Sequence, residues 1–126
     1  MTETPSGPLA GVRVLDMTNV LAGPYACYQL ALMGAEVIKV EVPDGGDLAR
    51  RLGADSELNG SLMGVSFLAQ NAQKRSITLD LKSDGGREVM RRLVAEADVL
   101  CENFRPGVLE RLGFGWDALR AINSRL

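Results

Sequence analysis

The chain has 126 residues, with 14 Lys and Arg against 16 Asp and Glu, a net charge of −2 and no histidine. That length suits one ordinary domain or a part of a larger protein, and 46% apolar with 24% charged residues is the composition of a soluble globular chain. The charge balance argues against a general nucleic-acid binder, and the lack of histidine excludes any His-based triad, general base or metal site.

Residues 1–8 are polar with no apolar leader core and are expected to form a disordered lead-in to a folded part over residues 9–126. The apolar stretches that follow fall far short of a membrane span. Cys27 and Cys101 lack metal-type or C-x-x-C spacing, so the expectation is a cytoplasmic protein with reduced thiols, no metal and no membrane anchor.

Val12 to Leu15 reads as a short strand ending at Asp16. The polar pair Thr18-Asn19 makes a turn, and a helix follows from Tyr25 to Met33, with Pro24 in its first turn and Gly34 as its stop. Glu36 to Glu41 is a second strand, so this β-α-β order predicts a parallel pair. Residues 42–61 are rich in Gly, Asp and Pro and predict a long loop with one helical turn near Leu48 to Leu52. Leu62 to Ala69 is apolar, and its pattern does not decide between helix and strand.

Ser76 to Leu81 alternates polar and apolar residues, the pattern of a half-buried strand. Ser83 or Asp84 can cap a helix to about Ala95, with Val89, Leu93 and Val94 on its apolar face. Val99 to Cys101 is a fourth strand, Pro106 to Leu112 a short helix and Trp116 to Ile122 a last amphipathic helix, with Phe114 and Trp116 as core anchors. The fold class is α/β, a Rossmann-like open parallel sheet with flanking helices.

The chemistry is less legible. The turn Ala22-Gly23-Pro24-Tyr25-Ala26-Cys27 has one glycine and lacks G-x-G-x-x-G, although Glu41 ends the second strand where a dinucleotide fold places its ribose-binding acid. Lys74, Arg75, Lys82, Arg105 and Arg111 lie at strand edges or in the turns after them, where an α/β sheet presents a ligand crevice. Arg offers bidentate contacts to phosphate and Lys a point charge, but on composition alone a solvated surface is the favoured reading of the same residues, and their clustering only shifts that balance. Arg91 and Arg92, in mid-helix, read as surface. Cys27 and Cys101 read as small buried residues, with nothing near them in sequence to lower a thiol pKa. Asp16 and Asp80 read as turn acceptors, and Ser66 and Ser76 lack an adjacent base. No catalytic set can be assembled from these parts.

Four ordered blocks carry a more specific signal. They are residues 11–18 with Leu21-Ala22-Gly23-Pro24, residues 34–41, residues 74–82, and residues 97–108 with their Asn103-Phe104-Arg105-Pro106-Gly107 core. In that order and spacing they resemble the amino-terminal part of a family III CoA-transferase, the group that includes formyl-CoA transferase, carnitine CoA-transferase and alpha-methylacyl-CoA racemase. The resemblance spans Leu9 to Leu126.

The resemblance implies coenzyme contacts at Leu21 and Ala22, at Leu79, Asp80, Leu81 and Lys82 in a bordering strand, at Asn103, Phe104 and Arg105, and at Arg111. It implies an acyl-CoA and a small carboxylic acid as partners, with CoA as substrate and no metal. Val42 stands where formyl-CoA transferase has an arginine, a contact that Arg50 or Arg51 could replace. Family members are several-fold longer, form interlocked homodimers and attack the thioester with an aspartate that lies beyond residue 126. The resemblance therefore implies an incomplete fold with no catalytic residue of its own and no turnover by this chain alone. A racemase-type member and a non-catalytic nucleotide- or CoA-binding module are the alternatives.

Overall fold

The computed structural model describes residues 6–126, so the lead-in expected over residues 1–8 lies largely outside the described residues. Its strands are β1 (Arg13–Asp16), β2 (Glu36–Glu41), β3 (Arg75–Thr78) and β4 (Val99–Cys101). Its helices are α1 (Ala22–Leu32), α2 (Ser56–Gly60), α3 (Val65–Asn71), α4 (Asp84–Ala95), α5 (Val108–Arg111) and α6 (Trp116–Ile122), with a 3-10 turn at Leu48–Arg51. The strands form one sheet in the order β3-β2-β1-β4, and all three pairings are parallel.

Neighbouring residues of β1 show why the sheet is covered on both faces. Successive side chains on a strand point to opposite sides. Val14 packs with Cys27, Ala31, Ala35 and Val37, on the side that α1 covers. Leu15 packs with Met90, Val94, Phe114 and Leu119, on the side of α4 and α6. Both Val14 and Leu15 are fully buried, which is what a parallel sheet between helix layers requires. Asn123, just past α6, donates to the carbonyls of Val94 (2.9 Å) and Ala97 (2.7 Å) and so closes the end of α4.

Several elements agree residue for residue with the sequence reading, and the differences have physical causes. β2, β4 and α6 occupy the expected spans. The first helix begins at Ala22 and ends at Leu32, with Pro24 in its first turn as expected. Gly34 has φ +99°, the left-handed value that ends such a helix. The 42–61 loop contains α2 as well as the helical turn, and Asp55 caps α2 by accepting from the amides of Glu57 and Leu58. Residues 65–71 resolve the undecided apolar stretch as helix.

The alternating stretch to Leu81 is strand only as far as Thr78, where pairing with Glu41 ends, so Leu79 to Lys82 form a loop rather than a strand. Leu79 keeps the apolar rhythm because it still dips into the core, at 7% exposure. On α4 the buried face carries Met90 and Val94, four apart, while Val89 lies outside it. Phe114 is a core anchor. Trp116 is 64% exposed, at the amino end of α6, and is not.

Candidate functional site

Four charged side chains lie buried at the carboxyl ends of β1 and β2. Lys39 sits 3.0 Å from Asp47 and 4.0 Å from Asp16, and Lys74 sits 2.8 Å from Asp16. Every one of these side chains is at most 1% exposed. Two carboxylates against two ammonium groups leave the cluster balanced, the condition under which buried charges are tolerated. Lys74 also donates to the Pro24 carbonyl and to Asn71. Burial lowers its pKa, and the Asp16 carboxylate opposes that shift. Lys74 therefore holds the start of α1 to β1 and is not available to a ligand.

Glu41 is equally engaged. Its carboxylate accepts from Arg50, from the Ser76 hydroxyl and from the Asp47 amide. Burial alone would raise its pKa, but those hydrogen bonds and the Arg50 charge outweigh it and hold the group at about 2. The acid at the end of the second strand is thus a structural anchor, with no free oxygen for a ribose. Arg50 donates also to the Leu62 carbonyl and stacks 3.7 Å from the Phe67 ring centre. It cannot stand in for an arginine at position 42. Arg51 is exposed.

Above this cluster a cleft of about 240 Å³ opens at the carboxyl edge of the sheet. Met17 and Asn19 line it beyond β1, Val40 to Val42 at the end of β2, Leu79 to Lys82 beyond β3, and Phe104, Val108 and Leu112 on the far side. Its walls are mostly apolar, with the Lys82 ammonium at the rim, and this is the edge where parallel α/β sheets bind ligands. Asp80 accepts from the Lys82 amide and shapes the loop.

Of the ten residues the resemblance singled out, Leu79, Asp80, Leu81, Lys82 and Phe104 share this cleft. Arg105, with Phe104, lines a neighbouring groove of about 500 Å³ along β4, the open edge of the sheet. Asn103 stitches two loops together, accepting from the Asn19 amide and donating to the Asn19 carbonyl, both at 2.9 Å. Leu21 and Ala22 are exposed at the start of α1, and Arg111 is exposed on α5. The anticipated basic cluster divides in two. Lys74 and Arg75 pair with carboxylates, whereas Lys82, Arg105 and Arg111 make no ion pair among the described residues. Met17, Asn19, Val40, Val108 and Leu112 also line the cleft and were not anticipated. Their signal was position, since each of the first three lies at or just past the carboxyl end of a strand.

The two thiols behave differently from the sequence expectation. Cys27 on α1 and Cys101 on β4 share one packed cluster, and the interaction of the two thiols raises the pKa of Cys27 and lowers that of Cys101. Burial raises Cys27 further, and burial opposes the change at Cys101. The partners lie in different elements, so no neighbour in sequence could reveal the pairing. Among the described residues no group of His, Cys, Asp and Glu could hold a metal ion, and no helix is long and apolar enough to cross a membrane.

The four blocks and this fold agree with a direct comparison. The family model described as CoA-transferase family III matches residues 9–126. The chain belongs to CoA-transferase family III. It is 48% identical over 119 residues to the succinyl-CoA–L-malate CoA-transferase beta subunit of Chloroflexus aurantiacus, covering 94% of this chain and 29% of that one. It is 49% identical over 118 residues to formyl-CoA:oxalate CoA-transferase of Rhodopseudomonas palustris, covering 94% and 27%. The crystal structure of the Mycobacterium tuberculosis protein Rv3272 superposes with a TM-score of 0.85 at 45% identity, covering 98% of this chain and 32% of that one. The chain spans less than a third of the length of each of these relatives.

Proposed function

We propose that this chain is the amino-terminal, coenzyme-binding part of a CoA-transferase that moves CoA between carboxylic acids. The observation that carries the proposal is the apolar cleft at the carboxyl edge of the sheet, with the unpaired Lys82 at its rim, in a chain of this family. Leu79, Leu81 and Phe104 would pack against the flat, weakly polar part of the nucleotide. Lys82, Arg105 and Arg111 would meet its phosphates, as exposed cations without a carboxylate partner do readily. Leu21 and Ala22, at the first turn of α1, would contact the coenzyme nearer its thiol end. Asn103 acts on this reading by fixing the loop that carries Phe104 and Arg105.

The chemistry belongs to segments other than these. A carboxylate would attack the acyl-CoA thioester carbonyl and expel the CoA thiolate, which would then attack the enzyme-side carbonyl of the resulting anhydride, releasing the donor acid as a carboxylate and leaving CoA as an enzyme thioester. No carboxylate of the cleft is placed for that role here: Glu41 is locked by Arg50 and Ser76, and Asp80 holds the Lys82 amide. The nucleophile would lie outside residues 1–126, and the chain alone would bind CoA without turning it over. A cytoplasmic location and a homodimeric parent complete the reading. The transferase is preferred to the racemase-type alternative because two of the relatives compared above, from Chloroflexus aurantiacus and Rhodopseudomonas palustris, are named as CoA-transferases.

Calorimetric titration of the 126-residue chain with CoA and with NAD tests the proposal. Saturable CoA binding without NAD binding is expected. NAD binding without CoA binding would overturn it.

A further inference from the structure

Met17 and Asn19, which line the candidate cleft, belong to a loop from Met17 to Leu21 that is hydrogen-bonded along its length. The amide of Met17 donates to the Cys101 carbonyl, that of Thr18 to Asp16, that of Asn19 to Asn103 and that of Val20 to Asp47. The carbonyls are equally occupied. Asn19 reaches the Met17 oxygen, Lys39 the Thr18 oxygen and Asn103 the Asn19 oxygen. With its amide oriented to satisfy its neighbours, the carboxamide nitrogen of Gln70 donates to the oxygens of Val20 and Leu21, both at 2.9 Å. Five partners come from other elements, so the loop is clamped from outside rather than by its own turns.

What the clamp holds is an unusual conformation. Val20 has φ +73°, in the left-handed region, which a β-branched residue rarely adopts and which persists only where its surroundings impose it. Asp47 grips its amide at 3.0 Å while Lys39 balances the carboxylate, and Gln70 grips its carbonyl. The next residue, Leu21, is turned outward and is 63% exposed, with Tyr25 at 55% beside it on α1. Both side chains stand clear of the core.

We propose that Asp47 and Gln70 are positioning residues for coenzyme binding, holding Val20 in the left-handed conformation so that Leu21 and Ala22 face the ligand. The inference rests on the coenzyme reading above and adds to it two residues that touch no ligand. The strain at Val20 is paid for by the folded chain before binding, so the ligand meets a loop that needs no further ordering.

The test uses the whole 126-residue chain, with CoA as the probe. Asp47→Ala would also leave Lys39 without its partner, so the uncharged Gln70→Met carries the experiment. Gln70→Met loses two intramolecular hydrogen bonds, so its melting temperature is expected to fall, and it is expected to bind CoA about ten-fold more weakly because the loop must then be ordered on binding. Glycine adopts a positive φ without help, so Val20→Gly added to Gln70→Met is expected to restore most of that affinity. A merely structural role for Gln70 would lower the melting temperature and leave CoA affinity unchanged. Equal CoA affinity in the parent and in Gln70→Met, or no recovery in the double variant, overturns this inference alone. A parent chain that does not bind CoA overturns both this inference and the coenzyme reading.

Discussion

Arg50 clasps Glu41 with two bonds of 2.7 Å, from Nε to Oε1 and from Nη2 to Oε2. This fork joins the loop after β2 to the last residue of the strand, and the Ser76 hydroxyl ties the same carboxylate to β3. Charge-assisted bidentate pairs of this kind are strong and orientationally specific.

The clasp makes stability depend on acid. The folded pKa of Glu41 is held at about 2 against an ordinary value of 4.5, so its contribution is fully present above the ordinary value and is lost as pH falls through the folded one. The shift corresponds to about 3 kcal/mol. Urea unfolding at a series of pH values should therefore show stability falling between about pH 4.5 and pH 2. Glu41→Gln should be less stable than the parent at neutral pH and should flatten that fall. A parallel pH profile for parent and variant would show that the clasp does not work this way.

The two thiols give a second outcome. Cys101 is part-exposed with a lowered pKa, whereas Cys27 is fully buried with a raised one. Since the thiolate is the reactive form, iodoacetamide near neutral pH should label Cys101 well before Cys27. Cys27→Ala removes the neighbouring thiol that lowers the Cys101 pKa and should slow labelling of Cys101. Mass spectrometry of the labelled peptides decides the order, and equal rates at the two sites would contradict it.

Lys82 offers a test of the ligand edge that leaves the fold alone. Its side chain is exposed and unpaired among the described residues, so Lys82→Ala should leave the melting temperature unchanged. CoA affinity should fall about five- to ten-fold, as for the loss of one charge-assisted contact at a solvated rim. Raising the salt concentration should narrow the gap between parent and variant, because screening weakens the contact that only the parent makes. Unchanged affinity at low salt would remove Lys82 from the site.

How much of this was visible in the sequence follows the range of the interactions. β2 and β4 stood out because apolar runs bounded by turn residues are local signals, and the Ser83 cap of α4 was legible for the same reason. Asp55 and α2 were missed inside a Gly-rich stretch whose composition reads as loop. The site divides along the same line. Leu79 to Lys82 and Phe104 carry the family's local pattern, and they do share one cleft. Lys74 and Glu41 looked available because their partners, Asp16 and Arg50, meet them only in three dimensions. The buried charges, the clamped Val20 and the thiol pair all depend on contacts between distant segments, for which one sequence holds no signal.

The most direct test of the central claim is an NMR titration of the isotopically labelled chain with CoA. The account predicts that the amides of Leu79, Asp80, Leu81, Lys82, Asn103, Phe104 and Arg105, together with Leu21 and Ala22, shift progressively and saturate. Shifts confined to the groove beside β4 and α6, or no saturable shift at all, would contradict it.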